Sequence, residues 1–90
     1  MKYWFYNMDK VETIEGLENI DTSKVTSFLC LFRGCKSLKS VNISMWDTTL
    51  VTDFASLFFD CYDLTTANVS GIVTSTATRI TSMFNGCHSL

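Results

Sequence analysis

Cys35, Cys61 and Cys87 stand 26 residues apart in a chain of 90, and the residues around them recur at the same interval. Aligned without gaps, VTSFLCLFRGCKSL from Val25, VTDFASLFFDCYDL from Val51 and ATRITSMFNGCHSL from Ala77 share four identical columns. These are Thr26/Thr52/Thr78, Phe32/Phe58/Phe84, Cys35/Cys61/Cys87 and Leu38/Leu64/Leu90. Three more columns stay apolar: Val25/Val51/Ala77, Phe28/Phe54/Ile80 and Leu31/Leu57/Met83. A worn copy precedes them at an offset of 27, with Met1, Trp4, Phe5, Met8 and Val11 opposite Phe28, Leu31, Phe32, Cys35 and Leu38. The second half of the unit recurs too. Ile43, Trp46 and Asp47 answer to Leu17, Ile20 and Asp21, whereas the next copy keeps Val69 and Ile72 but has Val73 at the acidic position. A fixed period in this range constrains the fold more than composition does, because such a unit buries its apolar face only against its neighbours. The expected organisation is one segment over 1–90, with units at about 1–24, 25–50 and 51–76 and an incomplete 77–90.

Within each unit, Phe28, Leu31, Phe32 and Cys35 fall at i, i+3, i+4 and i+7, which predicts short helical turns. The same spacing returns at Phe54 to Cys61 and at Ile80 to Cys87. Thr26, Thr52 and Thr78 stand where an N-cap hydroxyl belongs. Gly34 and Gly86 suit a tight exit, with Asp60 a tolerable substitute. Leu38-x-x-Val41-x-Ile43 follows, echoed by Leu64-x-x-Ala67-x-Val69 and roughly by Val11-x-x-Ile14-x-x-Leu17, the strand spacing of a leucine-rich repeat. The Asp21–Ser23 and Asp47–Thr49 stretches read as turns. The fold class these features predict is an α/β repeat solenoid. It would be a short leucine-rich-repeat stack with a small parallel sheet on one side, short helical turns on the other, and a core of Phe, Leu and Cys ladders.

The compound unit V-T-x-F-x-x-L-F-x-G-C-x-S-L … V-x-I-S-x-W-D-T resembles the repeat of BspA-type leucine-rich-repeat surface proteins, with matching residues from Trp4 to Leu90. The resemblance implies a bacterial cell-surface or secreted protein, adhesion to host proteins or to other cells, and no catalytic residues. Two departures stand out: the chain carries no export signal, wall anchor or lipidation motif, and its third unit lacks the acidic turn. Met1 opens an apolar quartet and Leu90 opens an unfinished strand, so the expectation is a piece of a longer array, or a short protein that closes its ends by self-association.

Other function classes fare poorly. A net charge of -2 supplies no basic footprint for nucleic acid. No run of about 18 apolar residues is present to span a membrane. At 47% hydrophobic and 18% charged residues, the chain is too apolar for disorder. The four cysteines lack the paired spacing of zinc ligands and the density of a disulfide scaffold. Lying on the apolar stripe, Cys35, Cys61 and Cys87 read as small core residues. Cys30 shares a column with Ser56 and Ser82 and is expected to be the exposed, reactive thiol. His88 is the only histidine, in a column with Lys36 and Tyr62, and reads as solvated. Asp9, Glu12, Glu15, Glu18 and Asp21 lack the glycine and alternating ligands of a calcium loop, and read as a charged edge that discourages pairing. The expectation is no enzyme, no cofactor and no metal.

Partner-binding candidates are the outward residues. Asn42 and Asn68 alternate with apolar neighbours and face away from the core. With Lys39, Ser40, Thr65 and Thr66 they are expected to line the sheet face that binds a partner. Phe59 and Tyr62 interrupt columns otherwise held by Arg33, Asn85, Lys36 and His88. They read either as partner anchors or as residues packed against another chain or a loop of the same chain. The function expected is a non-catalytic protein-binding or adhesion module, with a host or neighbouring-cell surface protein as partner. The alternative is a structural segment that self-assembles through uncapped ends. A sheet face this small predicts weak binding unless many copies act together.

Overall fold

A pair of positive-φ residues recurs in each 26-residue interval and sets the path of the backbone, with Gly16 (φ 82) an additional one before the 3-10 turn. One column is Cys30 (φ 54), Ser56 (57) and Ser82 (59), with Tyr3 (61) in the N-terminal segment. The other is Gly34 (78), Asp60 (60) and Gly86 (82), with Asn7 (57). A left-handed L-residue cannot continue a right-handed helix, and here two such breaks fall four residues apart. The intervening chain therefore runs as successive tight turns. Leu31 N donates to Phe28 O (3.0 Å), Arg33 N to Cys30 O (3.2 Å) and Cys35 N to Phe32 O (3.2 Å). The alternate amides reach across to the next segment: Phe28 N to Asp53 O (2.8 Å), Cys30 N to Ala55 O (3.1 Å), Phe32 N to Leu57 O (2.9 Å) and Gly34 N to Phe59 O (2.8 Å).

The α/β leucine-rich-repeat solenoid expected from the sequence is therefore not the fold. The computed structural model, which describes residues 1–90, is a small compact domain of 30 × 27 × 21 Å with almost no helix. Its only helical element is one turn of 3-10 helix, Leu17–Asn19, and its only sheet pairs β1 (Ser40–Asn42) with β2 (Thr66–Asn68) in parallel. Neither the helical layer nor a third strand exists. Val11 to Leu17, read as a strand, runs irregularly into the 3-10 turn. The threonine caps have no helix to cap; Thr52 and Thr78 hydroxyls instead donate to Thr26 O (3.3 Å) and Thr52 O (3.1 Å). No helix is long and apolar enough to cross a membrane.

Contacts across the 26-residue interval nevertheless build the core. Phe5, Phe32, Phe58 and Phe84 form one column of nearly parallel rings, with centroids 5.2, 5.3 and 5.4 Å apart. Phe28 packs on Trp46 and on Phe54. The Trp46 indole donates its Nε1–H to Leu17 O at 2.7 Å inside the core, which meets the one polar demand of that side chain. Two buried threonines are satisfied in the same way. Thr22 donates to Asp47 O, while the Thr48 hydroxyl accepts from Val73 N at 2.8 Å. No buried side-chain nitrogen or oxygen lacks a partner. Asp21 and Asp47 do form the turns expected of them, each carboxylate accepting a main-chain N–H two residues on.

Close packing of the backbone is tightest at Gly71, where an added Cβ would fall on the Ser44 carbonyl oxygen. Main chain, unlike a side-chain tip, cannot swing aside. Gly71→Ala is expected to cost about 1–3 kcal/mol as an overpacking change, read as a lower urea midpoint at unchanged slope. A neutral result would mean that the Ser44–Gly71 approach is looser than described.

Candidate functional site

Strand alternation turns Val41 and Ala67 inward and Ser40, Asn42, Thr66 and Asn68 outward. The parallel register then sets Ser40 beside Thr66 and Asn42 beside Asn68. Thr13, Ile14, Leu17 and Glu18 rise along one side, and together these residues enclose an open groove of about 320 Å³. That is the low end of ligand-binding cavities.

Short local hydrogen bonds orient the two asparagines. Asn42 Oδ1 accepts from Ser44 N (3.0 Å), and Asn68 Oδ1 accepts from Ser70 N (3.2 Å) and Ser70 Oγ (2.9 Å). With each carbonyl oxygen so engaged, each exposed Nδ2 is left to donate outward. The groove thus offers a polar floor of amide and hydroxyl groups beside the apolar flank of Ile14 and Leu17. Glu18 is its only ionisable residue. No cluster of three or more His, Cys, Asp or Glu is placed to hold a metal ion.

Four of the sequence candidates, Ser40, Asn42, Thr66 and Asn68, come together in the groove. Lys39 and Thr65 are exposed next to it without lining it. The Lys39 ammonium sits 2.8 Å from the Glu12 carboxylate. That hydrogen bond and charge hold the Glu12 carboxyl below its ordinary pKa and the Lys39 ammonium above its own. Thr65 donates its hydroxyl to Lys39 O (3.1 Å). Phe59 and Tyr62 lie outside the groove, half-buried against their own chain. The Arg33 guanidinium lies 4.5 Å over the Phe59 ring, Lys36 Nζ lies 5.7 Å over Tyr62, and His88 stacks on Tyr62 at 5.2 Å. These contacts all lie within the same chain.

The flank of the groove was missed in the sequence reading. Its signal was present in the faint Val11-x-x-Ile14-x-x-Leu17 echo, and Glu18 was grouped with the charged edge. Cys30 requires a correction as well. It is only 5% exposed, whereas Ser82 is exposed at the same backbone conformation: the Cys30 segment is hydrogen-bonded to a neighbouring segment on each side, the Ser82 segment on one side only. All four cysteines are free thiols. Three donate to a phenylalanine carbonyl of the preceding segment at 3.1 Å: Cys35 to Phe5 O, Cys61 to Phe32 O and Cys87 to Phe58 O. Burial pushes Cys35 up to about 11 and Cys61 up to about 12, and raises Cys87 as well.

Residues 1–90 match the family model described as "Mycoplasma protein of unknown function, DUF285". The chain belongs to the DUF285 family. Membership is compatible with a cell-surface repeat protein and is a coarser statement than the BspA resemblance. No curated protein and no solved structure matches this DUF285 chain.

Proposed function

We propose that this DUF285 domain is a non-catalytic protein-binding module of a bacterial cell-surface or secreted protein, and that its contact surface is the β1–β2 groove. The observation that carries the reading is the paired row of exposed polar side chains, Ser40 with Thr66 and Asn42 with Asn68, held beside Ile14 and Leu17. Oriented amides next to an apolar wall suit an extended peptide, whose carbonyls accept from the Nδ2 groups while a side chain rests on the wall. The resemblance to BspA-type surface proteins supports an adhesive role at the cell surface. Thiol chemistry is disfavoured by the burial of Cys35 and Cys61 and their raised pKa values.

A groove this small predicts dissociation constants in the range of roughly 10 μM to 1 mM. Peptides selected from a displayed library, titrated in the presence of EDTA, are expected to shift the NMR resonances of residues 40–42 and 66–68. The double substitution Asn42→Trp with Asn68→Trp fills the groove and is expected to weaken binding at least about tenfold, or 1.4 kcal/mol. Peptides that map elsewhere, or bind the double variant equally well, rule the groove out.

A further inference from the structure

The groove is open because an interior segment of the chain fails to extend the sheet. Ile43 N donates to Asn68 O at 3.0 Å, so the odd-numbered residues of β1 and its continuation face β2. In a parallel ladder the residues between them point their N–H and C=O the other way. Ser40 and Asn42 therefore turn their main chain toward the Val11–Leu17 flank. Lys39 N reaches Glu12 O at 3.0 Å and the Trp46 indole reaches Leu17 O at 2.7 Å, which ties the flank down at both ends. Between those ties, no hydrogen bond joins residues 13–16 to Ser40 or Asn42. The cause is legible in the spacing. Val11-x-x-Ile14-x-x-Leu17 is one residue longer than Leu38-x-x-Val41-x-Ile43, and the surplus falls beside Gly16, where φ is 82. An extra residue bends a strand away from its neighbour and leaves its pairing undone.

Charge gives the same opening a polarity. Glu18 is the only ionisable residue that lines it. The chain forms two ion pairs, Lys39 with Glu12 and Arg79 with Asp53, and Glu18 belongs to neither. Lys39, next to β1, is thus already engaged by Glu12. Glu18 presents an exposed, uncompensated carboxylate beside Ile14 and Leu17.

On the peptide-binding reading of the groove, we infer that the partner is an extended polypeptide segment bearing a lysine or arginine. Its main chain pairs with the free edge of β1, and its cationic side chain lies on Glu18. Polypeptide backbone is the complement of that edge, because the N–H and C=O groups of Ser40 and Asn42 need C=O and N–H groups at strand spacing. The cation answers Glu18, and its aliphatic stem covers the apolar wall of Ile14 and Leu17. With the flank tied at both ends, the occupant lays only about three residues along the three of β1. An acidic segment meets a like charge and is rejected.

Among displayed-library peptides that shift the resonances of residues 40–42 and 66–68, Lys and Arg are expected to outnumber Asp and Glu. One such peptide, resynthesised with norleucine in place of its basic residue, is expected to bind about threefold more weakly at about 20 mM salt, and its glutamate form more weakly still. The gap should narrow at about 0.5 M salt. Glu18→Gln is expected to bring the lysine or arginine form down to the norleucine form while leaving the norleucine form unchanged. Glu18→Lys should reverse the order, so that the glutamate form binds best. Hydrogen exchange reads the main-chain half: the Asn42 amide slows on saturation with the peptide. Groove-binding peptides with no basic preference, a threefold gap that survives Glu18→Gln, or an Asn42 amide that exchanges unchanged each overturn the inference and leave the groove a peptide site. Peptides that never shift the groove resonances remove the peptide-binding role itself, and this partner with it.

Discussion

Phe58→Ala is expected to remove about 3–5 kcal/mol of stability. Phe58 has no exposed surface and is sandwiched between Phe32 at 5.3 Å and Phe84 at 5.4 Å. Truncation removes the transfer free energy of a phenyl ring and leaves a cavity whose walls are rings held by their own segments. Two ring contacts disappear as well, each worth about 0.5–1.5 kcal/mol beyond the buried area. A domain of this length has a total stability of about 5–13 kcal/mol, so the variant should be largely unfolded near physiological temperature if it lies at the lower end. Phe84→Ala provides the internal comparison. Phe84 touches only one ring of the column and is 39% exposed, so its truncation should cost less than half as much. Urea denaturation followed by circular dichroism measures both. Equal costs for the two would mean that the column does not share its burial in the way the ring spacings indicate.

What the sequence displayed openly was the interval, and the reason is physical. Residues in contact across 26 positions must be sterically compatible, so Phe32, Phe58 and Phe84 agree in type wherever their rings touch. The turn at Gly34, Asp60 and Gly86 was legible because glycine at a repeated position signals a left-handed backbone, and all three do have positive φ. Asn42 and Asn68 were legible from strand alternation alone. The fold class was misread for an equally physical reason. Apolar residues at i, i+3, i+4 and i+7 describe a helix face, but a chain of tight turns interrupted by left-handed residues also directs those positions inward. The deciding feature, positive φ at Cys30, Ser56 and Ser82, is carried by residues with no strong preference for it, so local composition gave no warning. Phe59 and Tyr62 stand in polar columns, which suited either partner anchoring or packing against a chain. The polar residues of those columns, Arg33, Lys36 and His88, lie against the two rings. The flank of the groove comes from the segment least like the others, where the repeat pattern fades and strand alternation no longer applies.

Alkaline pH is expected to unfold the domain through its buried thiols. Below pH 9 Cys35 and Cys61 are neutral in both the folded and the unfolded chain, and they add no pH dependence. Above the ordinary thiol value of 9.0 the unfolded chain releases both protons, while the folded chain retains them up to about 11 at Cys35 and about 12 at Cys61. The unfolded state then binds fewer protons than the folded state, so stability falls as pH rises. The slope is about 1.4 kcal/mol per pH unit for each thiol, and the fall continues through the folded-state values. Burial is the main cause at both sites, and the hydrogen bonds at Phe5 O and Phe32 O reinforce it by requiring a proton on sulfur. A thiolate at 3.1 Å from a carbonyl oxygen would be repelled. Cys61→Ser keeps a donor toward Phe32 O but does not titrate in this range. Denaturation midpoints compared between pH 8 and 11 should therefore converge, with wild type losing stability faster above pH 9 than the serine variant. Lysine and tyrosine ionisation is common to both proteins and cancels in the difference. Curves that run parallel across the range would mean that the Cys61 thiol ionises as freely in the folded chain as in the unfolded one, against its complete burial and its hydrogen bond to Phe32 O.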